Sequence, residues 1–328
     1  MIFWLHGIFC QNKPLSRPYC TLDSCSELSH LFQGTRVLSV NHSLARAVQW
    51  ALEAGYRHID TAALYRVEDE VGLGVRDYIR DNDARREHVY VTTKVRPRHR
   101  SEVVPALRQS LRELQLDYVD LYLMHYPMAY KVEQGRFCIP KLYRTDYLET
   151  WKGMEGAKEQ NLTRSIGVSN FNLSQMQRLW DKSRLKPSVL QIEVRVYKDE
   201  LVRWCEEHGV VVMAYSPFGA VLGRKADAPP PRADHPALLR LAEKYNKTVP
   251  QILLRYLVRI VAIPRSTNKG RILQNIDILD FTLDPVEIKE LSAFNANYRL
   301  RTPAKWYPHP EFPFEKKNLT DEQIDYTN

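Results

Sequence analysis

Residues 88–125 read HVYVTTKVRPRHRSEVVPALRQSLRELQLDYVDLYLMH. A β-branched apolar run, His88 to Lys94, passes into SEVVPALRQSLRELQL, where apolar residues return at helical spacing, and then into a second apolar run, Tyr118 to His125. Strand, helix, strand in that order makes a parallel pair, because only a long crossover returns the chain to the same edge of a sheet. The pattern repeats on both sides. Further strand candidates are Tyr56 to Asp60, Arg164 to Ser169, Val189 to Val194, Val210 to Tyr215 and Ile260 to Pro264. Between them lie amphipathic stretches such as LARAVQWALEAGY (44–56), EDEVGLGVRDYIRD (68–81) and DYLETWKGMEGAKEQ (146–160). A weaker first strand, His30 to Gly34, brings the count to eight, the number that closes a barrel. No GxGxxG follows any strand, so a doubly wound dinucleotide domain fits less well. The expected fold is α/β, a (β/α)8 barrel forming a single domain over residues 31–328, preceded by an irregular arm over 1–30.

A chain of 328 residues, 44% of them hydrophobic, can bury a core of that size. Its net charge of +8 favours an anionic partner, but Lys and Arg are interspersed with acidic residues, which suits a phosphorylated small molecule at least as well as nucleic acid. Five cysteines (Cys10, Cys20, Cys25, Cys138 and Cys205) form no CxxC pair, which argues against a disulfide framework or a structural zinc and for a reducing compartment. The opening MIFWLHGIFC is apolar but short and has no basic leading segment. It reads as an arm, so the expected location is the cytoplasm; secretion is the alternative if this segment is a signal peptide. No run of about 18 apolar residues is present, so no membrane span is expected.

Two stretches interrupt the repeat, Tyr130 to Thr145 and Gly219 to Asp234, and both follow strands. In a barrel they would lie over the carboxyl ends of the strands, where active sites sit. The tail from Ala296, with its aromatic and Pro residues, reads equally as a strap on the barrel wall or as a lid. The strand ends themselves carry Asp60 with Tyr65 just beyond, Lys94, His125, Ser169 with Asn170, Gln191, and Tyr215. Each alone has a plain structural explanation; their joint placement points to a site. An unperturbed Tyr has a pKa of about 10 and needs a nearby cation to act near neutral pH. Lys94 can supply that charge, Asp60 can hold Lys94, and His125 can donate to the oxygen that Tyr65 would protonate. The competing chemistry is a metal centre built on His58 and Asp60. It lacks ligands on the later strands, where Ser169, Gln191, Tyr215 and Pro264 are poor or impossible substitutes.

These motifs resemble the aldo-keto reductases. The matching stretches are GYRHIDTAALY (55–65), VTTK (91–94), LDYVDLYLMHYP (116–127), SIGVSNFN (165–172), LQIEV (190–194), VVMAYSPFG (211–219) and IPRSTNKGRILQN (263–275). The stretch 228–258 and the KWYPHPEFPFEK tail are similar to the insect members, which include 3-dehydroecdysone reductases of moths. The resemblance implies a (β/α)8 barrel, NADPH as hydride donor, and a catalytic tetrad on Asp60, Tyr65, Lys94 and His125, with Tyr65 as general acid. His58 then becomes a packing residue. The resemblance assigns Ser169, Asn170 and Gln191 to the nicotinamide amide, Tyr215 to its ring, and Ser216 and Phe218 to the pyrophosphate. Arg265, Ser266, Thr267 and Arg271 fall around the adenosine 2'-phosphate and Gln274 and Asn275 near the adenine, while Gly34 and Thr35 complete the cofactor set. Arg can grip that phosphate through two donors, which favours NADPH over NADH.

The substrate pocket implied is Arg36, Leu64, Arg96 and Tyr126. Arg36, Arg96 and Tyr126 replace aromatic residues usual in the family, so the mouth is expected to be more polar. Gln274 stands where Glu is usual, and the last strand is a residue or two shorter than expected, which would place Arg265 differently. The function expected is NADPH-dependent reduction of an aldehyde or ketone, with a ketosteroid such as 3-dehydroecdysone as one candidate. The alternative is a weakly catalytic or non-catalytic NADPH-binding barrel. The expected partner is a small carbonyl compound, with no nucleic acid, no membrane and no bound metal, and the expected state is a monomer.

Overall fold

In the computed structural model of the protein, the residues described are 43–95, 102–129, 132–133, 136–137, 146–193, 200–219, 221–222, 230–258, 260–294, 299, 306–307 and 309–314. Strands and helices alternate along them. The strands are β1 (His58–Asp60), β2 (Tyr90–Val95), β3 (Val119–Met124), β4 (Val132–Glu133), β5 (Arg136–Phe137), β6 (Thr163–Ser169), β7 (Val189–Glu193), β8 (Val211–Tyr215) and β9 (Val261–Ile263). Seven of them form one sheet in the order β1-β2-β3-β6-β7-β8-β9, every neighbouring pair parallel. The short β4 and β5 pair antiparallel within the interruption that follows β3. The expected first strand, His30 to Gly34, and the N-terminal arm lie outside the described residues.

The sheet curls into a barrel, and one contact proves the curl. Asp60 on β1 and Gln191 on β7 are separated in the sheet by β2, β3 and β6. Four strand spacings would hold them about 19 Å apart in a flat sheet. Instead the Gln191 Nε2 donates to Asp60 Oδ2 at 2.8 Å. The architecture is that of a (β/α)8 barrel, as the alternation predicts.

Period-two alternation divides two cores. Leu121 and Leu123 turn into the barrel with Val189, Met213, Val261 and Ile263, while Tyr122 and Met124 join the larger core between sheet and helices. Gly167 is needed for the inner packing: a Cβ there would sit 2.5 Å from the Val189 carbonyl oxygen and 2.9 Å from Leu123 Cδ2. Outside, a Cβ on Gly72 would collide with the backbone of Leu114, so the helix Glu68–Asp81 can approach the helix Val103–Leu114 only because that position has no side chain. Helix starts are fixed by side-chain caps: Asp146 accepts from Leu148 N at 3.0 Å, Asn172 from Gln175 N at 2.9 Å and Asn268 from Arg271 N at 3.0 Å.

Several strands are shorter than the sequence suggests. Tyr56 does not belong to β1, because its N–H closes the preceding helix on Ala51 O at 3.1 Å and its hydroxyl donates to Ile272 O at 3.1 Å. At the far end, β9 stops at Ile263, before Pro264, which has no N–H for the ladder. Among the described residues no helix is long and apolar enough to cross a membrane.

Candidate active site

β1 ends on Asp60 and β2 nearly ends on Lys94, with Asp60 facing Thr92 in register. Both side chains turn inward and are almost completely buried, at 1% and 0% exposure. Such charges are tolerated only when paired and fully bonded. Lys94 Nζ forms an ion pair with Asp60 Oδ1 and donates to the Thr61 carbonyl at 2.9 Å, and Asp60 Oδ2 accepts from Gln191. After Asp60 the chain makes a turn of 3-10 helix, Ala63–Tyr65, which ends on Arg66 in the left-handed region at φ 59°. That turn lays the Tyr65 ring over the cation, with Lys94 Nζ 5.1 Å from its centroid.

His125 follows β3 and meets Tyr65 edge-on, centroids 5.7 Å apart at 82°. Burial, and then the Lys94 charge, hold its pKa well below the usual imidazole value, so the ring is neutral. Among the described residues its Nδ1 is sealed from solvent without a partner, which leaves Nε2 as the nitrogen that can meet a ligand. The four residues of the expected tetrad are thus brought together. His58 sits one layer deeper, its Nε2 2.7 Å from Thr92 Oγ1 and its ring edge-on to Tyr90 at 4.6 Å. Burial first and Lys94 second lower its pKa to about 3. Among the described residues no group of three His, Cys, Asp or Glu side chains is arranged to hold a metal ion.

Beside the tetrad lie the residues expected at the nicotinamide. Asn170, at φ 62°, uses its amide on the protein itself: Nδ2 donates to the His125 carbonyl at 2.9 Å and to Ser169 Oγ at 3.1 Å, and Oδ1 accepts from the Tyr215 hydroxyl at 2.7 Å. Its backbone N–H donates to Gln191 O at 2.9 Å. The chain reverses at Ser216, φ 50°, and continues through half-buried Phe218. Pairing of Ile263 with Tyr215 sets Arg265 just above that level, so the short last strand still delivers Arg265 to the carboxyl end of the barrel. Arg265 Nη1 is buried without a partner among the described residues, and Ser266, Thr267 and Arg271 surround the start of the helix Lys269–Ile276. A helix start with arginines beside it favours an anion. The unpartnered guanidinium nitrogen of Arg265 and the open Nε2 of His125, with the Ser169–Gln191 pair between, fit a phosphorylated dinucleotide. On the helix itself Gln274 is exposed and Asn275 is buried.

Of the expected substrate pocket, Leu64 and Tyr126 are half-buried near Tyr65 and His125; Tyr126 stacks on His125 at 5.2 Å. Gly34, Thr35, Arg36 and Arg96 lie outside the described residues. Trp306, from the tail, meets the Tyr126 ring edge-on at 4.9 Å. The tail is also tied to the wall: Asn172 Nδ2 donates to Pro313 O at 3.3 Å and Gln175 Nε2 to Glu311 O at 3.0 Å. Its described residues thus reach the barrel wall at Asn172 and Gln175 and the Tyr126 ring at Trp306. Three features carried no distinct sequence signal: the Thr61 carbonyl on Lys94, the Gln191 bond to Asp60, and Trp306 on Tyr126, hinted at only by the aromatic tail.

Residues 30–296 match the aldo/keto reductase family. The chain is 49% identical over 275 residues to aldo-keto reductase AKR2E4 of Bombyx mori, covering 82% of this chain and 87% of that protein. It is 40% identical over 293 residues to human aldo-keto reductase family 1 member A1, covering 82% and 89%. The crystal structure of the Bombyx mori AKR2E4 in complex with NADP superposes with a TM-score of 0.80 at 45% identity, covering 90% of this chain and 95% of that one. The chain belongs to the aldo/keto reductase family.

Proposed function

We propose that this enzyme reduces an aldehyde or ketone to the alcohol, with NADPH as hydride donor and Tyr65 as proton donor. The carrying observation is the fully buried Lys94–Asp60 pair beneath the Tyr65 ring, with a neutral His125 edge-on to the same ring. The NADP complex of the silkworm relative supports the cofactor, as does the arginine-lined start of the helix Lys269–Ile276. When bound, NADPH supplies a hydride to the carbonyl carbon. The chain's own residues manage the oxygen. Neutral His125 donates from Nε2 to the carbonyl oxygen and orients it, and Tyr65 delivers its phenolic proton there as negative charge develops. Lys94 stabilises the phenolate left behind, and its ion pair with Asp60 holds it in place. Ser169, Asn170 and Gln191 would hold the nicotinamide end, Tyr215 would face its ring, and Arg265 and Arg271 would hold the 2'-phosphate.

Among the described residues of the mouth, Tyr126 and Trp306 meet edge to face, which suits a flat or polycyclic carbonyl compound. A ketosteroid such as 3-dehydroecdysone is therefore a candidate substrate, supported by likeness to the insect members. A cytoplasmic monomer belongs to the same reading: five cysteines without a CxxC pair support a reducing compartment, and sedimentation tests the monomer. The test of function is loss of NADPH absorbance with a panel of aldehydes, diketones and 3-ketosteroids, run beside Tyr65→Phe. Wild type should turn over, and Tyr65→Phe should lose about 10²-fold or more in rate while still binding NADPH. Equal rates in the two proteins would remove Tyr65 from the role of acid.

A further inference from the structure

Gln191 and Asp60 together carry an inference that rests on the NADPH reading and deepens it. An ionised carboxylate only accepts hydrogen bonds, and Asp60 is held ionised by Lys94. The Gln191 group facing Asp60 at 2.8 Å must therefore be the NH₂ end, which leaves Oε1 turned the other way. Oε1 accepts no hydrogen bond among the described residues and is not sealed from solvent. Next to it, Ser169 Oγ accepts from Asn170 Nδ2, so the Ser169 hydroxyl proton is available to donate. The subsite thus offers one acceptor, Gln191 Oε1, and one donor, Ser169 O–H. A primary carboxamide presents the complement, an NH₂ and a carbonyl oxygen.

We infer that Asp60, besides holding Lys94, fixes which end of Gln191 faces the cofactor and so makes the nicotinamide subsite selective for a ligand bearing N–H. Asp60 is then a positioning residue for the cofactor although it need not touch it. The rule can be inverted by one substitution. In Asp60→Asn the side-chain oxygen must stay on Lys94, which only donates, so the new NH₂ faces Gln191 and forces that amide to turn over. The subsite then offers Nε2–H, which welcomes a plain carbonyl.

The experiment measures dissociation constants by quenching of protein fluorescence, using NADPH and its reduced 3-acetylpyridine analogue, in which a methyl replaces the NH₂. In wild type the analogue leaves Gln191 Oε1 unpaired and should bind about tenfold or more weakly than NADPH. In Asp60→Asn and in Gln191→Met that gap should shrink to about twofold, since neither retains a fixed acceptor at this position. A full gap surviving in Asp60→Asn, or no gap in wild type, overturns the inference while leaving the cofactor assignment intact. Failure of wild type to bind NADPH at all overturns the cofactor reading, and the inference with it. Should Asp60→Asn fail to fold, the Gln191 side-chain NH₂ of the wild-type apo protein decides by NMR, its signals identified by their loss in Gln191→Met. A proton shifted downfield and slow to exchange supports the bond to a buried carboxylate, and two fast-exchanging protons at ordinary shifts overturn it.

Discussion

Replacing His58 by glutamine should flatten the acid limb of the protein's stability curve. His58 is buried under the Lys94–Asp60 pair with its pKa at about 3, held there by burial and then by the Lys94 charge. In the unfolded chain the same group titrates near about 6.5. Below that pH the unfolded state takes up a proton that the folded state refuses, so acid favours unfolding, and the loss continues until the folded ring also protonates near pH 3. Between pH 7 and pH 5 the difference amounts to about 2 kcal/mol from this one side chain. Glutamine does not titrate but can still bond to Thr92, whose Oγ1 now lies 2.7 Å from His58 Nε2. Urea unfolding of both proteins at pH 7, 6 and 5 measures the effect, with carboxylate contributions cancelling in the comparison. Wild type should lose about 2 kcal/mol more than His58→Gln over that interval. Parallel curves would refute the argument, because they would mean that the folded state accepts the proton as readily as the unfolded one. Wild type and variant should both still weaken in acid, since His125 is depressed for the same reasons and in the same direction.

Lys94→Met should destabilise the fold by about 3–5 kcal/mol at pH 7, because it strands the buried Asp60 charge; adding Asp60→Asn should recover part of that, as chemical denaturation would show. Gly72→Ala should lower the melting temperature by several degrees, for a loss of about 1–3 kcal/mol, since its methyl would meet the Leu114 backbone and push two helices apart. Arg271→Ala should weaken NADPH by about tenfold or more and leave NADH nearly unchanged in binding titrations, because only NADPH carries the 2'-phosphate. Equal losses for both would place that phosphate elsewhere.

The fold is legible in this sequence because parallel strands buried on both faces must be apolar runs, and the helices between them must each show one apolar stripe. VDLYLM and the stretch SEVVPALRQSLRELQL show these patterns plainly. Strand ends were less legible: Tyr56 looks like strand sequence but is spent on closing a helix. The convergence of Asp60, Tyr65, Lys94 and His125 was readable because each occupies or closely follows a strand end, where the barrel brings distant segments together. The Gln191 bond to Asp60 was not, since it depends on how far the sheet curls and no local pattern records that. Nor was the Thr61 carbonyl on Lys94, because any residue would supply the same backbone oxygen. Trp306 needed the path of the tail, which few periodic residues define.

The bond between Asp60 and Gln191 also bears on how the chain reaches its working state. The two residues stand 131 positions apart, and closing a flexible loop of that length costs about 4 kcal/mol of chain entropy. The bond cannot repay that cost until β1, β2, β3, β6 and β7 already share one curved sheet. Helices built from local contacts form well before that. A refolding chain should therefore regain its helical signal first and its chemical competence last, and a folding intermediate with half a barrel would hold Lys94 and Asp60 together while lacking the part that orients a cofactor.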